Sequence, residues 1–338
     1  MLTRLKEHMK KLLPKKLILR RRKRLLFKAA RGYAAYDRNR YLKWNGIVSQ
    51  DVATLWARVT RLQHILEKAF ALPEPRRGFG EWVIEELLQV LPMYVQQAGL
   101  DQAVRRSVLI LRKYVDFHNE FGIIAPCEHE ITSLLNTIPS NTTERAEAEA
   151  TIAIDRDKLL EIASIGFADF ALCRHSVRQF ASDVVPNDLI IQATRIAQKS
   201  PSVCNRQGSR VHIYCSDDLK SAILKIHSGN RGFGHLASHV IVITFDLRCL
   251  LDPGERHQAW IDGGLFGMSL LYGIHSLGLG ACPLHWSVAP QDDMALRSVA
   301  DIPEHEEIIM LVAVGSLPRT FAVAASARRN LHEVARVH

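Results

Sequence analysis

The 338-residue chain lacks any apolar run of the roughly 18–20 residues that a membrane-spanning helix needs. Its most apolar early stretch, Leu17-Ile18-Leu19, runs at once into Arg20-Arg21-Arg22-Lys23-Arg24. A secretory signal puts its charges before a longer apolar core, so this order predicts a cytoplasmic protein. The six cysteines include no C-x-x-C pair and read as reduced thiols rather than a disulfide frame. Cys204 has no neighbour that would lower its pKa and reads as inert. His235 and His239 have i, i+4 spacing, but they sit against the apolar run Val240-Ile241-Val242-Ile243, which argues against a metal site. There is no G-x-x-x-x-G-K-[ST] phosphate loop and no G-x-S-x-G nucleophile turn. The glycine-dense Gly229-Asn230-Arg231-Gly232-Phe233-Gly234 follows a helical pattern and not a strand, so it fails the context of a dinucleotide-binding turn. Its glycines suit a backbone that approaches a flat ligand closely.

Excess charge of one sign is confined to one end. Residues 1–31 hold thirteen Lys/Arg against the single acid Glu7, a local charge of +12, while the whole chain carries +9. The remainder is therefore slightly acidic, and the basic character belongs to an arm. With Leu2, Leu5, Met9, Leu12 and Leu13 interleaved, that arm reads as a solvated tail or as a segment lying on an anionic membrane face. Contact with nucleic acid is a further, less favoured reading.

After the arm, apolar residues at three- and four-residue steps predict a helix over 48–70, stopped by Pro73 and Pro75. Further helices are expected over Trp82–Leu91 and Ala103–His118, split by Pro92 and Gly99, with a short one from Ile131. No strand pattern precedes residue 150, and Pro139–Glu144 reads as a linker. Beyond residue 155 helices alternate with strands. The helices are Leu159–Ala171, Pro186–Gln198, Leu219–Ile226 and 258–277; the strands are Arg210–Cys215, Val240–Phe245 and Met310–Val314. Three units follow: a basic tail 1–31, a helical extension 32–150, and an α/β or α+β domain 151–338. His64 and Glu67 read as an exposed or interdomain polar pair, and Trp260 and Trp286 as core.

The chemistry-bearing residues cluster in the last unit. Arg174 and Arg178 flank Ser176, and Ser200-Pro201-Ser202-Val203-Cys204-Asn205-Arg206-Gln207 follows an apolar helix. Guanidinium forks suit phosphate oxygens, and small hydroxyls and amides suit a polar ring edge. Together they predict a phosphorylated, planar cofactor.

Five pieces occur in a familiar order: Arg174-His175-Ser176-Val177-Arg178; Ser200-Pro201-Ser202 with Asn205 and Gln207; Gly229-Asn230 followed by Ala237-Ser238-His239-Val240; Gly278-Leu279-Gly280-Ala281-Cys282-Pro283; and Gly315 followed by Arg328-Arg329. Over roughly residues 165–335 the chain resembles the FMN-dependent nitroreductase family. The resemblance implies an α+β, three-layer fold with a mixed central sheet flanked by helices, preceded here by an all-helical extension. It implies a homodimer with FMN at the interface, built around the helix from Asp262 to Leu277. Arg174, His175, Ser176 and Arg178 would hold the phosphate and ribityl chain, completed by Arg328 or Arg329. Ser200, Pro201, Ser202, Asn205 and Gln207 would come from the partner subunit, and Asn230 would approach the pyrimidine edge. Pro283, Leu284 and His285 would cover the ring near N5. NADH or NADPH would reduce the flavin, which would then reduce a small molecule in a ping-pong cycle.

The chain departs from the family's pattern twice. Gln207-Gly208-Ser209 stands where many members have Gln-Pro-Trp, and His285 stands where some have Glu. His285 is a candidate proton donor to the substrate, with a wall residue beside Trp286 as the alternative. An extension with His64, Glu67-Lys68 and Arg77-Gly78-Phe79-Gly80 resembles relatives encoded near polysaccharide-synthesis genes. The alternative function is a non-catalytic flavin-binding scaffold or regulator docked on the inner membrane face through the basic tail.

Overall fold

The computed structural model describes residues 15–47, 49–70, 75–138, 150, 166–321, 323 and 331–338. Its first helix, α1 (Lys15–Trp44), is 30 residues long. The helix contains no proline and one glycine, Gly32, so nothing local breaks it. It passes through position 31, where the sequence suggested that a tail gives way to a helical unit. The Asn45 side chain ends α1 by donating to the carbonyls of Tyr41 (2.8 Å) and Leu42 (3.1 Å). A Cβ on Gly46 would lie 2.6 Å from the Arg248 carbonyl oxygen, so glycine alone fits the turn that follows.

Four helices then pack on one another: α2 (Val52–Phe70), α3 (Glu81–Ala98), α4 (Gln102–Glu120) and α5 (Glu128–Thr137). Leu55, Leu62, Leu66, Leu87, Leu111 and Ile131 are among their shared buried residues, each at helical spacing along its own element. Pro92 lies inside α3 and does not split it. It sits on the exposed side, where water can serve the carbonyl one turn earlier. Gly99 ends α3 as expected, with its N–H on the Val95 carbonyl. The expected linker at 139–144 and most of the helix expected over 159–171 lie outside the described residues; α6 spans Phe167–Leu172.

The α+β domain is built on a four-stranded sheet in the order β1-β2-β4-β3. The strands are β1 (Ser209–Tyr214), β2 (His239–Asp246), β3 (Leu279–His285) and β4 (Glu306–Ser316). All three named pairings are antiparallel. The parallel component of the sheet is the single bridge from Ser176 to Ala281. Side chains alternate across a strand, so Ile241, Ile243 and Phe245 of β2 face one cluster while Val240 and Val242 face another. Helices α7 (Asn187–Ala197) and α9 (Gln258–Ser276) cover the first face. Helices α8 (Asp217–Ile226) and α10 (Pro290–Ala300) cover the second, which completes three layers. The register shifts between Ile243 and Thr244, whose partners are Met310 and Ile308. Ile309 is the extra residue, so it and Met310 both reach the first face.

The second half of α1 is fastened to this domain. Arg40 is buried, donates to the carbonyls of Glu304 (2.9 Å) and Glu306 (2.8 Å), and pairs with the Glu307 carboxylate. Tyr36 donates its hydroxyl to Asp293 (2.7 Å), and Tyr41 donates to the Asp252 carbonyl (2.8 Å).

Candidate cofactor site and family

Arg174, Ser176 and Arg178 lie on an extended segment that runs beside β3. Val177 donates its N–H to the Ala281 carbonyl (2.9 Å), and its side chain is buried. With a two-residue period, positions 174, 176 and 178 therefore share the opposite face. Among the described residues neither arginine has a carboxylate partner. Arg178 folds back until Nη1 is 3.5 Å from the Ser176 carbonyl oxygen. Burial raises the Cys282 thiol pKa on β3, and both guanidiniums pull against that rise. Burial lowers the His275 imidazole pKa, and the charges of Arg174 and His175 push it the same way. The segment thus sets two guanidiniums without carboxylate partners beside a hydroxyl, although Arg178 also lies over the Phe233 ring (5.9 Å to its centroid). That donor set fits a phosphate. Arg174 and His175 border a small cavity of about 50 Å³ that reaches Leu271 and His275 on α9. Arg328 and Arg329 lie outside the described residues.

Ser200, Pro201, Ser202 and Gln207 line a second cavity of about 440 Å³, together with Asp262 of α9 and Trp56 of α2. Its loop is held in an unusual backbone: Cys204, Asn205 and Gln207 all have positive φ without being glycine. Such strain persists only where the surroundings fix it. Arg206 supplies the fixing. It is fully buried, pairs with both Glu255 oxygens (2.5 and 2.9 Å), and donates to the carbonyls of Cys249 (2.6 Å) and Val203 (3.2 Å). Asp262 accepts from the Val203 N–H (3.0 Å), and Ser202 Oγ accepts from the Gln207 N–H (3.0 Å). Ser202 keeps its own O–H free to donate outward. Asn205 is exposed.

Pro283, Leu284 and His285 border a third cavity, of about 640 Å³. His285 is exposed, and Leu284 turns to the opposite face of the sheet. His227 pins this strand end. Its Nε2 donates to the His285 carbonyl (2.7 Å), and its Nδ1 accepts from the Gly229 N–H (2.9 Å). Burial lowers its pKa, which agrees with a neutral ring protonated at Nε2. Asn230 spends its amide donor on the carbonyls of Leu224 (2.7 Å) and His227 (2.6 Å), so the structure uses that group to hold the glycine-rich turn.

The sequence reading missed Arg206, His227, Glu255, Asp262 and Asp293. Arg206 and His227 stand within or next to noted motifs, which was the available signal. Asp293 accepts from Trp286 Nε1 (2.9 Å), Tyr36 and Arg297 (2.7 Å). Burial alone would raise its pKa; the Arg297 charge and the three hydrogen bonds hold it below the usual range. Trp286 is core, as expected, whereas Trp260 is 44% exposed.

The Nitroreductase family model matches residues 171–230 and 227–316. This stretch includes the arginine segment, the Ser200–Gln207 loop and the β3 edge. Over residues 171–316 the chain is similar to the nitroreductase family. About half of the chain is also similar to solved structures. One is a nitroreductase-like protein from Streptococcus mutans, at 23% identity over 51% of this chain and 98% of that one, with a TM-score of 0.46. Another is an FMN-dependent nitroreductase from Clostridium difficile R20291, at 17% identity over 50% and 98%, with a TM-score of 0.43. A third is a nitroreductase family protein from Streptococcus pneumoniae TIGR4, at 15% identity over 51% and 100%, with a TM-score of 0.44. Among curated proteins no relative is matched.

Proposed function

We propose that the chain is an FMN-dependent oxidoreductase that uses NADH or NADPH to reduce a small molecule. The observation that carries this is the pair of carboxylate-free guanidiniums of Arg174 and Arg178, set beside β3 just upstream of Pro283–His285. When bound, FMN would supply the hydride-transfer chemistry between a nicotinamide donor and the acceptor in a ping-pong cycle.

The chain's own residues bind, orient and exclude water. Arg174, Ser176 and Arg178 would hold the phosphate, a role that the family resemblance extends to Arg328 or Arg329. The β3 end and the Gly229 turn, locked together by His227, give the ring a rigid backbone edge. Ser200, whose hydroxyl donates to the Ala197 carbonyl (2.7 Å), would offer its oxygen as an acceptor, and Ser202 and Gln207 would contact the ribityl chain and ring. His285, exposed on the cavity at the end of β3, would hold or deliver a proton to the acceptor.

The arginine segment and the Ser200 loop line different cavities on either side of α9. A homodimer brings one subunit's loop to its partner's arginines. The exposed side of α9 supports this: Trp260, Ile261 and Leu265 are 44%, 53% and 44% exposed. Ile261 and Leu265 stand four residues apart on one face of the helix, an apolar pair suited to a second helix. Purified protein is expected to show a flavin spectrum that bleaches on anaerobic addition of NADPH. A coloured protein that resists both NADH and NADPH would favour the scaffold reading.

No helix among the described residues is long and apolar enough to cross a membrane. The free half of α1 exposes Leu19, Leu25, Leu26 and Phe27 among Arg20–Arg24, a composition that suits an anionic membrane face. Deleting residues 1–31 is expected to reduce co-sedimentation with vesicles of phosphatidylglycerol while leaving flavin bound. Equal co-sedimentation would remove the membrane reading.

A further inference from the structure

The third cavity is closed on one side by a helix that lies outside the matched family region. Tyr33, Tyr36 and Asp37 of α1 line it opposite Pro283 and His285, with Trp260 and Trp286 as further walls. Their position is fixed, because Arg40 and Tyr36 anchor this part of α1 to β4 and α10. The Arg40 guanidinium already lies over the Tyr36 ring (5.7 Å to its centroid), which leaves the exposed rings of Tyr33 and Trp260 as open aromatic surface.

The lining includes three carboxylates, Asp37, Asp293 and Glu307, and neither lysine nor arginine. Asp293 is neutralised by Arg297 (2.7 Å), and Glu307 by Arg40. Asp37 has no ion pair or hydrogen bond among the described residues, and it stands exposed at the cavity mouth. Tyr36 keeps its proton, since burial and then the hydrogen bond to Asp293 push its pKa up to about 12. Asp37 is therefore the lining carboxylate without a direct partner, reached only by the more distant Arg40 charge, and it stands among the aromatic residues Tyr33, Tyr36, Trp260 and Trp286.

We propose that this cavity is the acceptor pocket and that α1 makes it selective for planar, positively charged acceptors. The assignment rests on the reading of Pro283–His285 as the edge that meets the flavin. Ring faces attract a cation through their quadrupole, and Asp37 adds Coulomb attraction at the mouth. An anionic acceptor meets repulsion from Asp37 and no cation from the cavity lining. Tyr33 and Asp37 would thus set specificity without taking part in hydride transfer.

Two experiments test this. In the first, phenyltrimethylammonium and benzoate, neither of which is reduced, are titrated into the full-length protein, and tryptophan fluorescence is read. The cation is expected to bind on the order of tenfold more tightly than the anion. Asp37→Asn and Tyr33→Ala should each remove most of that difference. In the second, the FMN-loaded protein is given NADPH with either 4-nitrobenzyl-trimethylammonium or 4-nitrobenzoate. Each turnover moves one hydride from NADPH and takes up one proton, converting the nitro group to a nitroso group and water. The ratio of kcat/KM should favour the cation, and it should collapse in Asp37→Asn while turnover of neutral p-benzoquinone is retained. Benzoate binding as tightly as the cation, or an unchanged preference in Asp37→Asn, would overturn the proposal. Loss of p-benzoquinone turnover in wild-type protein would instead count against the oxidoreductase reading, because the binding titration needs no flavin.

Discussion

Glu255→Ala is expected to destabilise the protein by about 3–5 kcal/mol, and Arg206→Met by clearly less. The asymmetry follows from burial. The Arg206 side chain is 1% exposed, whereas that of Glu255 is 21% exposed. Removing Glu255 leaves a guanidinium inside the protein with only the Cys249 and Val203 carbonyls to meet it. Removing Arg206 leaves a carboxylate that water can reach and that the Leu251 N–H still serves (2.7 Å). The effect extends beyond stability. Arg206 holds the loop in which Cys204, Asn205 and Gln207 keep positive φ, so either variant should also loosen flavin binding. Burial would raise the Glu255 carboxyl, but the Arg206 hydrogen bond and charge and the backbone donors hold it below the usual range. A folded pKa below the unfolded one favours the native state at neutral pH. That contribution is lost as pH falls through the carboxylate range, so the gap between wild type and Glu255→Ala should narrow in acid. Urea unfolding at neutral and acidic pH measures both effects. Equal destabilisation by the two variants would contradict the burial argument.

Arg174→Ala and Arg178→Ala are each expected to weaken FMN binding by about 1.5–3 kcal/mol, roughly tenfold to more than a hundredfold in Kd. A hydrogen bond to a charged group contributes more than a neutral one, and here both partners are charged. The loss should shrink as salt rises, because the segment is partly open to solvent. Arg195→Ala, on the exposed side of α7, serves as the control with unchanged affinity. Titration of apoprotein with FMN, followed by quenching of flavin fluorescence, gives the constants. Wild-type affinity in both variants would remove the phosphate assignment.

Much of the scaffold was legible in the sequence because its signals are local. The apolar run Val240–Phe245 announced a strand buried on both faces, and β2 is that strand. The small and apolar stretch from 258 announced α9, whose interior glycines let strands approach: a Cβ on Gly263 would lie 2.6 Å from Ile309. β3 was hidden, because Gly280 and Pro283 weaken any strand pattern and its neighbours are fixed by pairing with β4. The polar and charged start of β4 concealed four residues of that strand, which is held by partners distant in sequence. Pro92 misled because its cost depends on which side of the helix it occupies. The arginine segment proposed to hold the phosphate was visible as residue types, yet not as an extended strand-like face. Arg206 and His227 could not be assigned, since their roles exist only through Glu255 and His285, 49 and 58 residues away. Nor could the docking of α1 be read, since Arg40 and Tyr36 find their partners more than 250 residues later.

Stoichiometry and assembly, measured together, test the central claim most directly. Sedimentation of FMN-saturated protein, read at both protein and flavin wavelengths, should show a dimer carrying one flavin per chain. A monomer that sediments free of flavin colour at saturating FMN would contradict the account.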